Sequence, residues 1–216
     1  MHKLLKKAFN PISFETHFIA VGISVIGLVV LLLNGVKHEM SPHLLSACIL
    51  FDLSLIALYS ASSIYHYFHK YKKLSVILRQ IDHPMIYVLI VGTYTPVVMY
   101  CMKAPRSYYF LGVMWSVALI GILVIVLWID APCFISTCLY LVLGWSVFFD
   151  FTSFSTISLR SLILIALGGI SYTIGAIIYI VKKPNISMHF GFHELFHIFV
   201  MLGSFLYYIA IIMLVF

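Results

Sequence analysis

Seven stretches of this chain are apolar over a length that can cross the hydrocarbon core of a bilayer, which is about 30 Å thick and takes roughly 20 helical residues. They run approximately over 16–34, 43–68, 79–101, 107–128, 133–150, 158–181 and 190–216. In lipid every backbone N–H and C=O must be satisfied within its own segment, so each stretch is expected to be an α-helix and the whole an all-α bundle. Of 216 residues, 63% are hydrophobic and 9% are charged, too little polar surface to cover a soluble globule. The fifth stretch is the shortest, bounded by Asp130 and Pro132 on one side and Asp150 on the other. Connections are short, and residues 1–216 read as one seven-span membrane domain with no soluble domain.

The basic start MHKLLKKAFN is followed by no small-residue cleavage site, and the first apolar run reads as a retained anchor helix rather than a signal peptide. Cys48, Cys101, Cys133 and Cys138 lack paired spacing, which argues against a disulfide framework. Orientation follows from the basic residues. Alternate connections carry Lys3, Lys6, Lys7, then Lys70, Lys72, Lys73, Arg79, then Lys182 and Lys183, while the opposite set holds only Lys37, Lys103, Arg106 and Arg160. Nine against four places the amino terminus in the cytoplasm and the carboxyl terminus outside. The net charge of +6 is thus a topology signal, and its scatter over several loops excludes a nucleic-acid docking face.

With orientation set, polar residues inside the spans can be placed by depth. His193 and His197 lie four apart in HELFH, in the first turns of the last stretch. On a helix that spacing puts both rings on one face, about 5–6 Å apart, as two ligands of one metal ion are presented. The second stretch carries Ser62 and His66 in its last turns, on the same side of the membrane, and the third starts there with Asp82. One carboxylate and three imidazoles from three spans therefore converge near the cytoplasmic boundary. Asp52, Tyr59, Ser62 and His66 form one stripe, Asp82 and Thr93 another, and His193, His197, Ser204 and Tyr208 a third. Ionisable side chains facing lipid are costly, so these stripes are expected to face inward and to line a polar cavity above the metal.

The segments SSIYH, RQIDHPMIYVLIVGTYTP and FHELFHIFVMLGS resemble the three signature segments of bacterial hemolysin III proteins, which share a superfamily with the adiponectin and progestin receptors and resemble alkaline ceramidases. The resemblance covers nearly the whole chain. It implies a multi-pass protein of the bacterial plasma membrane in which His66, His193 and His197 bind zinc, Asp82 contacts the metal through water and Ser62 lies beside it. Three neutral imidazoles leave the fourth position of Zn²⁺ open, and water there has a pKa near about 7. Asp82 can accept its proton and Ser62 can donate a hydrogen bond to a developing oxyanion. The expected function is hydrolysis of a lipid amide or ester, with a membrane lipid as substrate or ligand.

Other readings stand beside this one. The histidines can be hydrogen-bonded packing residues, or zinc can be structural in a non-catalytic receptor-like or homeostatic protein, with Asp82 as a tight fourth ligand. Ser62 can serve helix packing, and Asp52 is either a cavity group or a packing residue. His17 can support the metal ligands from behind but reads first as an interfacial histidine; His83 points about 100° from Asp82 and is not counted as a ligand. His2, His38, His43, His69 and His189 read as solvated, and Gly92 to Pro96 as a kink that lets helices approach. HELFH also satisfies HExxH, the metalloprotease pattern in which Glu194 would be the general base. A cytolytic pore is a further possibility, against which the spans show no long polar face.

Overall fold

A computed structural model describes residues 10–128, 132–187 and 190–216. His2, Lys3, Lys6, Lys7, Asp130 and His189 lie outside the described residues. Among those described there are only helices and connections: α1 Pro11–Lys37, α2 Pro42–Phe68, α3 Lys72–Asp82, α4 Met85–Cys101, α5 Arg106–Leu127, α6 Cys133–Gly144, a 3-10 segment Ser146–Thr156, α7 Leu159–Val181 and α8 Phe192–Val215. Six helical segments are long and apolar enough to cross a membrane: α1, α2, the α3–α4 pair, α5, α7 and α8.

The stop and start signals are local. Asn10 precedes Pro11 at the start of α1, where a missing N–H costs nothing. Ser41 and Ser158 cap α2 and α7 by accepting from the backbone N–H of Leu44 at 3.4 Å and Ser161 at 3.2 Å. Lys182 ends α7 with a left-handed φ of 56°. The third apolar stretch differs from its expected form. Its helix begins earlier, at Lys72, and is interrupted at His83–Pro84, so Asp82 ends α3 rather than opening a span. Pro84 has no N–H to give, and its ring crowds the carbonyl four residues back. Gly92 to Pro96 lie within α4; a Cβ at Gly92 would stand 2.4 Å from Ser54 Oγ, so α4 approaches α2 closely there.

The fifth stretch departs further. α6 has 12 residues, about 18 Å at 1.5 Å per residue, after which the chain tightens into 3-10 turns broken at Asp150 (φ −143°, ψ 49°). Asp150 is held by Arg106 Nη2 at 2.8 Å and accepts from Thr152 Oγ1 at 3.2 Å and Ser153 Oγ at 2.9 Å. A carboxylate this well supplied with donors helps to hold the irregular segment in place.

Successive helices are neighbours, and α1 also packs on α8, which closes the bundle. α1 is inverted relative to a helix of a soluble protein. On α1 the outward side carries Ile19, Ile23, Ile26, Val30 and Leu33, while Ser13, His17, Ala20 and Ser24 are buried. Tyr108, Tyr109 and Trp128, near the ends of α5, are exposed, as interfacial aromatics are. Cys48, Cys101 and Cys138 are free thiols.

The closest pairing, α7 on α8, is a reciprocal exchange of glycine for tyrosine. Tyr172 of α7 lies over Gly203 of α8, and Tyr207 of α8 lies over Gly168 of α7; the two rings stack at 5.6 Å with planes 16° apart. A Cβ at Gly203 would stand 2.6 Å from the Tyr172 ring, and one at Gly168 would stand 2.7 Å from the Tyr207 ring. Neither ring can swing aside, because Tyr172 Oη is hydrogen-bonded to Ser204 Oγ at 2.9 Å and Tyr207 is 5% exposed. Gly168→Ala and Gly203→Ala are therefore each expected to destabilise by about 1–3 kcal/mol. Gly22→Ala, whose Cβ meets nothing within 4 Å, is expected to be neutral or slightly stabilising. Melting temperatures of the purified proteins in one detergent check this.

Candidate metal centre

The inward stripe of α2 reaches the end of the helix as Tyr59, Ser62, Ser63 and His66, all buried. α8 begins with His193 and His197 on the side facing them. Three ring nitrogens, one each from His66, His193 and His197, lie within 4.8 Å of one another. His66 Nε2 and His193 Nε2 are 3.2 Å apart. Two nitrogens bound tetrahedrally to zinc at about 2.0–2.1 Å would be about 3.3 Å apart, so this pair already has the spacing of one edge of such a site. The donor set fits a zinc ion.

The ring of His66 is oriented from behind by Asn10, a residue that the sequence left unassigned. The Asn10 backbone N–H donates to the His66 carbonyl at 3.4 Å, and its side-chain amide lies 3.3 Å from His66 Nδ1. The amide atom at that distance is Nδ2; turning the amide over would let its oxygen accept from Nδ1–H and leave the Nε2 lone pair for a metal. His17 is a second addition. Expected at the interface, it is instead 2% exposed and stacked on His197, with ring centroids 3.9 Å apart and planes at 15°. Tyr59 closes on its other side, edge-on at 5.2 Å. Neither ring nitrogen of His17 has a hydrogen-bond partner, and the ring lines a cavity between the helices. The residues following it point to this burial: Ala20, Ser24 and Gly27 continue a small, weakly polar face at helical spacing.

That cavity has a volume of about 410 Å³ and receives Ser62, Asp82, His83, His193 and His197 at one end. Asp82 is outside the three-histidine group but lines the same cavity, with Oδ2 3.5 Å from His83 Nδ1. His83, set aside in the sequence as pointing away, thus faces the cavity beside it. Beyond a band of hydroxyls that includes Thr93 and Tyr172, the walls are apolar: Leu162, Ile165 and Ala166 of α7, with Leu141 and Phe154. A polar cavity was expected. The difference arises because α6, α7 and the 3-10 segment close the far side and contribute mainly side chains that favour an alkyl chain over water.

Glu194 points elsewhere. Its Oε2 accepts from the Gly191 backbone N–H at 2.9 Å, and its Oε1 accepts from Ser13 Oγ at 2.9 Å. One carboxylate thus caps α8 and ties it to α1, and both oxygens are spent on these contacts. His69, beyond the end of α2, was expected to be solvated; it packs edge-on to Tyr65 at 5.0 Å and is bonded to Ser75 Oγ at 3.0 Å. Burial first, and then the positive charge of Arg79, hold its pKa below the ordinary range.

The family model described as Haemolysin-III related matches residues 8–208. The hemolysin-3 homolog of Bacillus subtilis (strain 168) is 36% identical over 190 residues, which cover 88% of this chain and 86% of that protein. The hemolysin-3 of Bacillus cereus is 29% identical over 192 residues, covering 88% of this chain and 84% of the relative. With six apolar helices of spanning length and matches of this extent, the chain is a multi-pass membrane protein that belongs to the haemolysin III-related family.

Proposed function

We propose that this protein is a zinc-dependent hydrolase of a lipid amide or ester, with zinc held by His66, His193 and His197 near the cytoplasmic side. The observation that carries the proposal is a cluster of three imidazoles, two buried and one half-buried, at metal-ligand spacing, beside an apolar cavity that Asp82 also lines. The distribution of basic residues supports a cytoplasmic amino terminus and an external carboxyl terminus. In this reading α6 and the 3-10 segment after it together make the seventh crossing.

When bound there, zinc supplies a Lewis acid and a water acidified toward neutral pH. Asp82 holds a position from which its carboxylate accepts a proton on the cavity side. Ser62, one turn before His66, donates its hydroxyl toward a carbonyl oxygen as charge develops. His17 keeps the plane of His197 fixed by stacking, and Asn10 does the same for His66. The apolar walls hold the acyl chain and exclude water, which strengthens each polar contact at the far end.

Removing one of three ligands leaves an incomplete site. His66→Ala, His193→Ala and His197→Ala are each expected to lower the zinc content of purified protein several-fold and to lower its melting temperature. Metal analysis decides; a wild-type preparation without a bound transition metal overturns the site.

The catalytic step is tested separately. Asp82→Asn is expected to keep zinc and fold while losing turnover of ceramide-like and related lipids, because an amide cannot take the proton. Glu194→Gln keeps one acceptor for the α8 cap and should be nearly silent in the same assay, whereas Glu194→Ala should cost about 1–2 kcal/mol of stability. If Glu194→Gln abolishes an activity that Asp82→Asn spares, the HExxH protease is the correct mechanism. Zinc retained with no lipid cleaved across a broad panel leaves the non-catalytic, zinc-stabilised role.

A further inference from the structure

Asp52 takes no part in the proposed chemistry, and its surroundings call for a separate account. It is the eleventh residue of α2, about 15 Å along the helix from Pro42, and it is fully buried. Neither carboxylate oxygen has a hydrogen-bond donor. The polar groups of the surrounding helices do not supply one. Tyr208 of α8, within electrostatic reach of Asp52, donates its hydroxyl to the Gly27 carbonyl at 2.9 Å. Ser24, one turn from Gly27 on the buried face of α1, donates to the Ala20 carbonyl at 2.8 Å. Cys48 lies one turn away on α2 itself and is a free thiol. α1 carries no titratable side chain between His17 and Lys37, and Tyr94 of α4 is turned to the Gly144 carbonyl.

An ionised carboxylate in this position would have neither a counter-charge nor a donor, in the middle of a medium that solvates charge poorly. A bound cation is a poor alternative, because a hard cation requires several oxygens and the hydroxyls at this level are turned to backbone carbonyls. A neutral carboxylic acid avoids the cost of a buried charge and is tolerated in the same surroundings far more cheaply.

We propose that Asp52 is a proton-binding site in the middle of the membrane, carried as a neutral carboxylic acid at neutral pH, whose deprotonation destabilises the contact of α2 with α1 and α8. This is independent of the zinc reading, since His66 lies fourteen residues further along α2. The sign of the linkage is fixed. Unfolding releases the proton to solvent at neutral pH, so the folded state binds more protons and stability conferred by the neutral acid falls as pH rises.

The decisive measurement is infrared spectroscopy of the full-length protein in liposomes, labelled with ¹³C on the aspartate carboxyl. A neutral-acid C=O band is expected at neutral pH, shifted to the ¹³C position in wild type and returned to the ¹²C position in Asp52→Glu. Its absence from the wild type overturns the proposal, as does a band that appears only when sodium is removed, which would make Asp52 a cation ligand. In parallel, the melting temperature of wild type minus that of Asp52→Asn is expected to decrease between about pH 5 and about pH 9. A difference that is flat with pH overturns the linkage. Because zinc content should be the same in both proteins, a failure here is distinguishable from a failure of the metal site.

Discussion

In hydrocarbon a polar side chain has only other parts of the protein to bond to, and that constraint organises this bundle. α1, α2 and α8 meet because each carries an inward row that lipid would not accept: Ser13, His17 and Ser24; Asp52, Tyr59, Ser62 and His66; His197 and Ser204. Hydroxyls within these rows mostly return to their own helix, as Ser24 to Ala20 and Ser204 to Val200. The imidazoles do not: the rings of His17, His66, His193 and His197 gather around one another. The helical association is thus driven partly by a group of side chains that have nowhere else to go.

Small residues make that association possible. The Tyr172 and Tyr207 exchange over Gly203 and Gly168 brings α7 close to α8 and orders the hydroxyl band between the histidines and the apolar part of the cavity. The Ser13 to Glu194 bond joins the first and last helices at the level of the rings. Metal-ligand spacing and cavity shape are therefore consequences of packing on both sides of α8.

Much of this was legible in the sequence. Charge counting and four-residue spacing brought His66, Asp82, His193 and His197 to one depth because both signals are local and strong. His17 was misplaced because position along a helix says nothing about which way its first turns face; only the small residues that follow it carry that information. The α3–α4 break was readable in Pro84 but masked by the apolar run of α4 that begins directly after it. The fifth stretch reads as a span by composition, yet Asp150 finds Arg106 and two hydroxyls, and a segment that satisfies an acid in this way stops being a regular helix. The apolar walls of the cavity depend on which faces of α6 and α7 are brought together, which no periodicity within one helix encodes.

The three histidines come from distant parts of the chain, with 127 residues separating His66 from His193. During synthesis, the helix bearing His66 is inserted long before its partners exist, and its ring must wait while the intervening helices enter the bilayer. The pocket of imidazoles is complete only after the last helix has docked beside the first two. Assembly of the site therefore reports that the whole chain has been inserted, and a molecule stalled or cleaved before α8 has only one of the three rings.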